Sequence, residues 1–239
     1  MALALHNQAP FIERLRPGSQ DLNDAADVLA DAFMFGNPNP INPDGEGLPD
    51  PFYNRLNRGD QKVRELFRSI ISLVSDIEHT IAVVRDGGEH NQIVGVCWIK
   101  ERSVRDMSLI DFPNLIIPSF NAFGLMGALW YGWDVINHIP VYPTNTTYLS
   151  MLGVARSSQG KGIGRALVEY AIERAEGQHV VLSTMNPKNI KTYERLGFDL
   201  LPEKQTESSD SAYRPGFTTY HMAYSPSPIQ ATPNHPHSS

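Results

Sequence analysis

Apolar positions after residue 21 recur at three- and four-residue steps. Leu22, Ala25, Ala26, Leu29 and Phe33 line one face of a predicted helix that stops where Gly36-Asn37-Pro38-Asn39-Pro40 begins. Before it, residues 11–16 alternate apolar and charged side chains as a half-buried strand does, and Pro17-Gly18 turns the chain. Asp60 can cap a second helix, whose stripe is Val63, Leu66, Phe67, Ile70, Ile71 and Val74. The period then drops to two: residues 79–85 and 92–100 are rich in β-branched side chains and flank Asp86-Gly87-Gly88, which predicts a strand hairpin.

Residues 147–154 predict a further strand, followed by a Gly-rich loop and a helix over about 162–175. Residues 179–184 make another strand; Asn186 before Pro187 starts a helix that Gly197 stops, because proline at the first helical position gives up no needed N–H. Residues 198–201 and 217–224 predict closing strands, and 225–239, rich in Pro, Ser and His, predict a disordered tail. The apolar stretch 115–136 is interrupted by Pro118, Asn121, Asp134 and three glycines, so it predicts a buried or pocket-lining segment and no membrane span. Phe123, Met126, Trp130 and Trp133 lie in it at helical steps. They form a core stripe by default, or, with the Pro-rich loop 36–51, a lid over a hydrophobic or aromatic amine.

Composition narrows the classes. The chain has 239 residues, 41% apolar and 19% charged, enough for a packed core. Twenty Lys and Arg against 26 Asp and Glu leave a net charge of -6, which argues against nucleic acid as a partner and requires any anion site to be local. One cysteine, Cys97, forms no internal disulfide or thiolate metal cluster, and its apolar strand makes it inert core; no other spacing suggests a metal. With charged residues close behind the first apolar ones and no secretory signal, the expected location is cytoplasmic.

The loop after the 147–154 strand carries the chemistry: Gln159-Gly160-Lys161-Gly162-Ile163-Gly164-Arg165. A nucleotide-triphosphate loop needs Gly-Lys followed by Ser or Thr, and here Gly162 follows Lys161; a dinucleotide fingerprint needs its third glycine one place later. What remains is a diphosphate cradle at a helix N-terminus, where unpaired N–H groups and the helix dipole meet an anion and glycines allow close approach. Arg156, Lys161 and Arg165 add local positive charge.

Gln159-Gly160-Lys161-Gly162-Ile163-Gly164 resembles the acyl-CoA-binding motif of the GNAT N-acetyltransferases, Gln/Arg-x-x-Gly-x-Gly/Ala. Asn186-Pro187-Lys188-Asn189-Ile190-Lys191-Thr192-Tyr193-Glu194-Arg195-Leu196-Gly197-Phe198 resembles that family's second signature, and the two together resemble its puromycin N-acetyltransferase branch. The resemblance implies a single α/β domain over residues 1–224, with a mixed, mostly antiparallel sheet flanked by helices. The cofactor-binding half spans about 147–201, with insertions at 36–60 and 103–140. It also implies acetyl-CoA as cosubstrate, no metal, a small-molecule amine as acceptor and a monomer or homodimer. A protein or peptide acetyltransferase of the same fold and a non-catalytic acyl-CoA-binding module are the alternatives.

Carried onto these positions, Leu152, Gly153 and Val154 meet the pantetheine arm and the oxyanion, and Gln159, Gly160, Lys161, Gly162, Ile163, Gly164 and Arg165 hold the diphosphate. Asn186, Asn189 and Tyr193 face the cofactor from one helix, and Tyr193 is the acid that protonates the leaving thiolate. An alkylamine is neutral in only about one in a few thousand molecules at pH 7, so a base or a desolvating pocket is required. Many relatives place a carboxylate on the strand at 147–154; this one has none, and Ser150 is its short polar side chain apart from the flanking threonine. Deprotonation then runs through water to His138, Asp134 or a residue of the 36–51 loop.

Overall fold

The computed structural model describes residues 10–16, 19, 21–35, 60–76, 80–88, 90–100, 120, 146–201, 206–208 and 217–226. The segments expected to form a lid, the loop 36–51, Asp134, His138 and the tail beyond 226 lie outside them.

Helix α1 (Asp21–Phe35) starts where the Ser19 hydroxyl accepts the Asp21 amide (3.2 Å), and Asp21 and Asp24 stand at the positive end of its dipole. Helix α2 (Asp60–Asp76) lies alongside, joined by a forked Arg68–Asp27 pair (3.0 and 2.6 Å) and by the Phe33 and Phe67 rings, 5.7 Å apart. Strands β1 (Ile12–Arg14), β2 (Thr80–Arg85), β3 (Ile93–Lys100) and β4 (Thr146–Val154) follow one another antiparallel, β2 and β3 forming the predicted hairpin. The β1 strand is three residues, shorter than the alternation of 11–16 suggested.

Strand β5 (His179–Thr184) lies parallel to β4, and β8 (Phe217–Tyr224) pairs antiparallel with β5 and with β6 (Phe198–Leu200). A short β7 (Thr206–Ser208), absent from the predicted elements, also pairs with β8. The path is β1-β2-β3-β4-β5-β8-β6, so the sheet is mixed and mostly antiparallel. Helix α3 (Ile163–Arg174) follows β4 and α4 (Pro187–Glu194) follows β5.

The sheet separates two cores. On one face Leu22, Ala26 and Leu29 of α1 and Leu66, Phe67 and Ile71 of α2 pack on Ile81, Val83 and Val96; on the other, Leu167, Val168 and Ala171 of α3 meet Ala82, Val84, Cys97, Leu149, Val180 and Leu182. Burial pushes the Cys97 thiol up to about 12, so it carries no thiolate at neutral pH. Among the described residues no helix is long and apolar enough to cross a membrane, and no group of three His, Cys, Asp or Glu could hold a metal ion.

The approach of α3 to the sheet depends on Gly95 of β3. A Cβ there would stand 2.5 Å from Ile163 Cγ2 and 3.2 Å from Leu167 Cδ1, in the first and second turns of the helix. Gly95→Ala is expected to push α3 outward and lower stability by about 1–3 kcal/mol in urea denaturation, the range for overpacking a tight core. An unchanged midpoint would mean that the helix yields freely.

Candidate active site

One extra residue re-aims β4. Register with β3 runs Cys97↔Leu152 and Trp98↔Met151, then shifts to Ile99↔Leu149, leaving Ser150 as a bulge. Its effect is visible in the packing: Leu149, Leu152 and Val154 share the α3 face, while Met151 and Gly153 turn to α1. Without the bulge, Leu149 and Leu152 would point to opposite faces.

The same step ends the pairing with β5. The parallel ladder runs from Thr146↔His179 to Leu149↔Leu182 and goes no further, while β5 continues alongside β8 to Thr184↔Tyr220. From Ser150 to Val154, β4 therefore has β3 on one side and, among the described residues, an open edge on the other. The Ala155 amide donates to Val94 O (2.8 Å), so strand alternation turns the N–H groups of Leu152 and Val154 toward the open edge. There the Val154 carbonyl accepts from the Gln159 side chain (3.2 Å).

The chain then makes a 3-10 turn (Arg156–Ser158), passes through Gln159, Gly160, Lys161 and Gly162, all exposed, and enters α3. Gly162 is the N-cap in left-handed conformation (φ 81°), with no side-chain cap and no acidic residue in the first turn. The first helical bond runs from the Ala166 amide to Gly162 O (3.0 Å), so the amides of Ile163, Gly164 and Arg165 have no partner within the helix. Among the described residues, a Cβ on Gly160 or Gly162 would meet nothing within 4 Å, so both glycines border open space there. A Cβ on Gly164 would lie 3.6 Å from Val154 Cγ2, which shows the first turn of α3 against the end of the open edge. This arrangement suits a phosphate-type anion followed by an extended chain. The Arg165 guanidinium is directed to Glu169 (2.7 Å) along its own helix.

Across the opening, Asn186 caps α4 by accepting the Lys188 amide (3.0 Å), its own amide donates to Thr184 Oγ1 (3.2 Å), and the Asn189 side chain donates to the same oxygen (3.4 Å). Both asparagines thus anchor the start of α4 to the end of β5. Tyr193 packs edge-on against Phe198 (centroids 5.9 Å apart), and its hydroxyl makes no hydrogen bond among the described residues. Burial alone pushes its phenol up to about 12, so it is protonated throughout the neutral range.

Where β4 and β5 part, a polar chain crosses three strands. The Tyr148 hydroxyl donates to Ser183 Oγ (3.2 Å), and Ser183 Oγ lies 2.8 Å from Nδ1 of His221, which is fully buried on β8. Sequence reasoning missed Ser183 and His221. The available signals were a serine after Val180-Val181-Leu182 and a histidine inside the Phe217–Tyr224 run, polar interruptions of strands otherwise suited to burial.

The sequence profile of the acetyltransferase (GNAT) family matches residues 48–198. Among solved structures, a Corynebacterium glutamicum protein described as histone acetyltransferase HPA2 and related acetyltransferase is 23% identical. The match covers 94% of this chain and 100% of that one, with a TM-score of 0.61. An N-acetyltransferase from Staphylococcus aureus Mu50 is 13% identical over 91% of this chain and 99% of its own, with a TM-score of 0.51. The yncA protein of Salmonella typhimurium, solved with its cofactor acetyl-CoA, is 13% identical over 95% of this chain and 100% of its own, with a TM-score of 0.50. At these identities the structures speak for the fold, and the profile, spanning more than half the chain and both the open strand edge and the glycine loop, speaks for the lineage. The chain belongs to the GNAT acetyltransferase family and is an acyltransferase.

Proposed function

We propose that this enzyme transfers an acetyl group from acetyl-CoA to the amine of a small molecule, by direct attack of the amine. The observation that carries the reading is the continuity between the open edge of β4 and the uncapped start of α3: unpaired strand amides lead straight into unpaired helix amides. Acetyl-CoA matches that order of donors, with a diphosphate anion at one end and an amide-bearing arm at the other. The choice of a small molecule rests on the resemblance of both signatures to the puromycin N-acetyltransferase branch. When bound, acetyl-CoA supplies an acetyl group activated as a thioester.

The protein's part is to bind, orient and move protons. In this reading the amides of Gly162, Ile163, Gly164 and Arg165 hold the diphosphate at the helix N-terminus, with Gly160 leaving room and Lys161 adding charge. Gln159 fixes the turn by its bond to the Val154 carbonyl. Leu152 and Val154 offer their N–H groups to the arm and to the thioester carbonyl, where preorganised donors lower the barrier to acyl transfer. Gly153 and Ser150 act through the strand: Gly153 lets α1 close on β4, and Ser150 makes the bulge and presents its hydroxyl to the entering amine. Asn186 and Asn189 fix α4 so that Tyr193 holds a proton for the departing thiolate.

Two variants test this. Gly162→Val places a β-branched residue at φ 81° and fills the space before α3, so acetyl-CoA binding measured by calorimetry should be lost while the fold survives by circular dichroism. Binding at wild-type affinity would remove the diphosphate assignment. Tyr193→Phe should lower kcat on the order of 100-fold with acetyl-CoA affinity unchanged. Because the phenol's pKa is raised, its acid form persists upward, and the alkaline loss of kcat that this group causes should lie near pH 12. A loss near pH 10 that disappears in the Phe variant would contradict a desolvated acid at Tyr193.

A further inference from the structure

An amine that is protonated at neutral pH has to lose a proton before its nitrogen can attack, and β4 carries no carboxylate to take it. The described residues nearest the parting of β4 and β5 offer another route. Ser150 and Ser183 are the first residues of β4 and β5 beyond the last ladder pair, Leu149↔Leu182, and both are half-buried. Ser183 is paired in register with His221 on β8, and Tyr148 stands diagonally across from it on β4. The three side chains form one hydrogen-bonded line over the vertex of the opening.

The polarity of that line follows from its end. Burial raises the Tyr148 phenol, against a smaller opposing effect of the Ser183 bond, so the phenol keeps its hydrogen and donates it to Ser183 Oγ. The Ser183 hydrogen is then free to point at His221 Nδ1, 2.8 Å away, in the tautomer that carries the ring proton on Nε2. In that tautomer, an imidazole nitrogen 2.8 Å behind a half-buried hydroxyl is a proton acceptor reached through an oxygen. The same face carries Thr146 and Thr219, whose buried hydroxyls have no hydrogen-bond partner among the described residues, so the polar surface continues along β4 and β8.

We propose that Ser183 and His221 form the proton relay for the acceptor amine: Ser183 Oγ takes the proton from the ammonium nitrogen as its own hydrogen passes to His221 Nδ1. The N–H bond of the ammonium breaks and an O–H bond forms; the former O–H of Ser183 breaks and an N–H bond forms on His221. The amine is left with its lone pair free, and the charge rests on the imidazolium. Tyr148 positions Ser183 by occupying one of its lone pairs, which aims the serine hydrogen at the histidine. The relay rests on the acetyl-transfer reading and adds to it the group that receives the proton.

The test compares two acceptors with acetyl-CoA at pH 7, following thiol release: benzylamine, which is protonated in water at that pH, and aniline, which is neutral. Ser183→Ala and His221→Gln should lower kcat for benzylamine on the order of 100-fold, leave aniline close to wild type, and leave the KM for acetyl-CoA unchanged. Ser183→Thr, which keeps a hydroxyl, should recover most of the benzylamine rate. Because His221 is buried and its variant can lose the fold, nitrogen-15 spectra of the wild-type protein supply a second reading: His221 should carry its proton on Nε2. Equal losses for both amines, a wild-type rate in Ser183→Ala, or a proton on Nδ1 would each overturn the relay while acetyl transfer itself stands. Thiol release without any amine would overturn it in favour of a serine that is itself acylated. A wild type inactive toward both amines would remove the transfer reading and the relay with it.

Discussion

A peptide group inside a sheet must find a hydrogen-bond partner, and β4 is built so that part of it has none within the sheet. One inserted residue, Ser150, ends the ladder with β5 and rotates the rest of the strand, so the donors of Leu152 and Val154 face an opening in place of a neighbouring strand. Unpaired backbone in a partly buried position costs on the order of 1–3 kcal/mol per group when nothing solvates it. The fold tolerates this because the opening is lined on its far side by β5 and α4, both independently anchored through β8 and Thr184. The unpaired edge is a gap in the sheet that the surrounding elements hold open.

Position matters as much as pairing. The start of α3 lies against the end of the open edge only because β3 offers Gly95 beneath Ile163 and Leu167, and because the chain crosses from strand to helix in left-handed glycine conformations. An acidic protein of net charge -6 thereby presents one local site of opposite character: an uncapped helix start, free of acidic residues in its first turn, beside exposed Lys161 and Arg156. The field of a helix end decays within a turn, so the acidic surface elsewhere does little to cancel it.

The sequence made the helices and most strands legible because their burial is one-sided and leaves a clean period. The α1 stripe, the β5 boundaries and the Asn186-Pro187 helix start were read directly. The glycine motif was legible for a different reason: few backbones need glycine at alternate positions before a helix. Hidden from view were features that depend on register. The bulge at Ser150 leaves no mark in composition, since a serine there reads as one polar residue in an alternating strand. Gly95 gains its meaning only when α3 is laid across it, and the Tyr148–Ser183–His221 line joins three strands that are distant in the chain. Asn186 was placed correctly on its helix, but its carbonyl oxygen is engaged by the Lys188 amide, a local cap that competes with any outward role.

The two cores on opposite faces of the sheet carry a consequence for how this protein can change. Among the described residues, the core around Leu29, Phe67 and Ile71 and the core around Leu167, Val180 and Leu182 have no member in common, and the strands run between them. Substitutions far apart with no shared partner combine additively to within a few tenths of a kcal/mol. Drift on the α1–α2 side therefore accumulates without retuning the α3–α4 side.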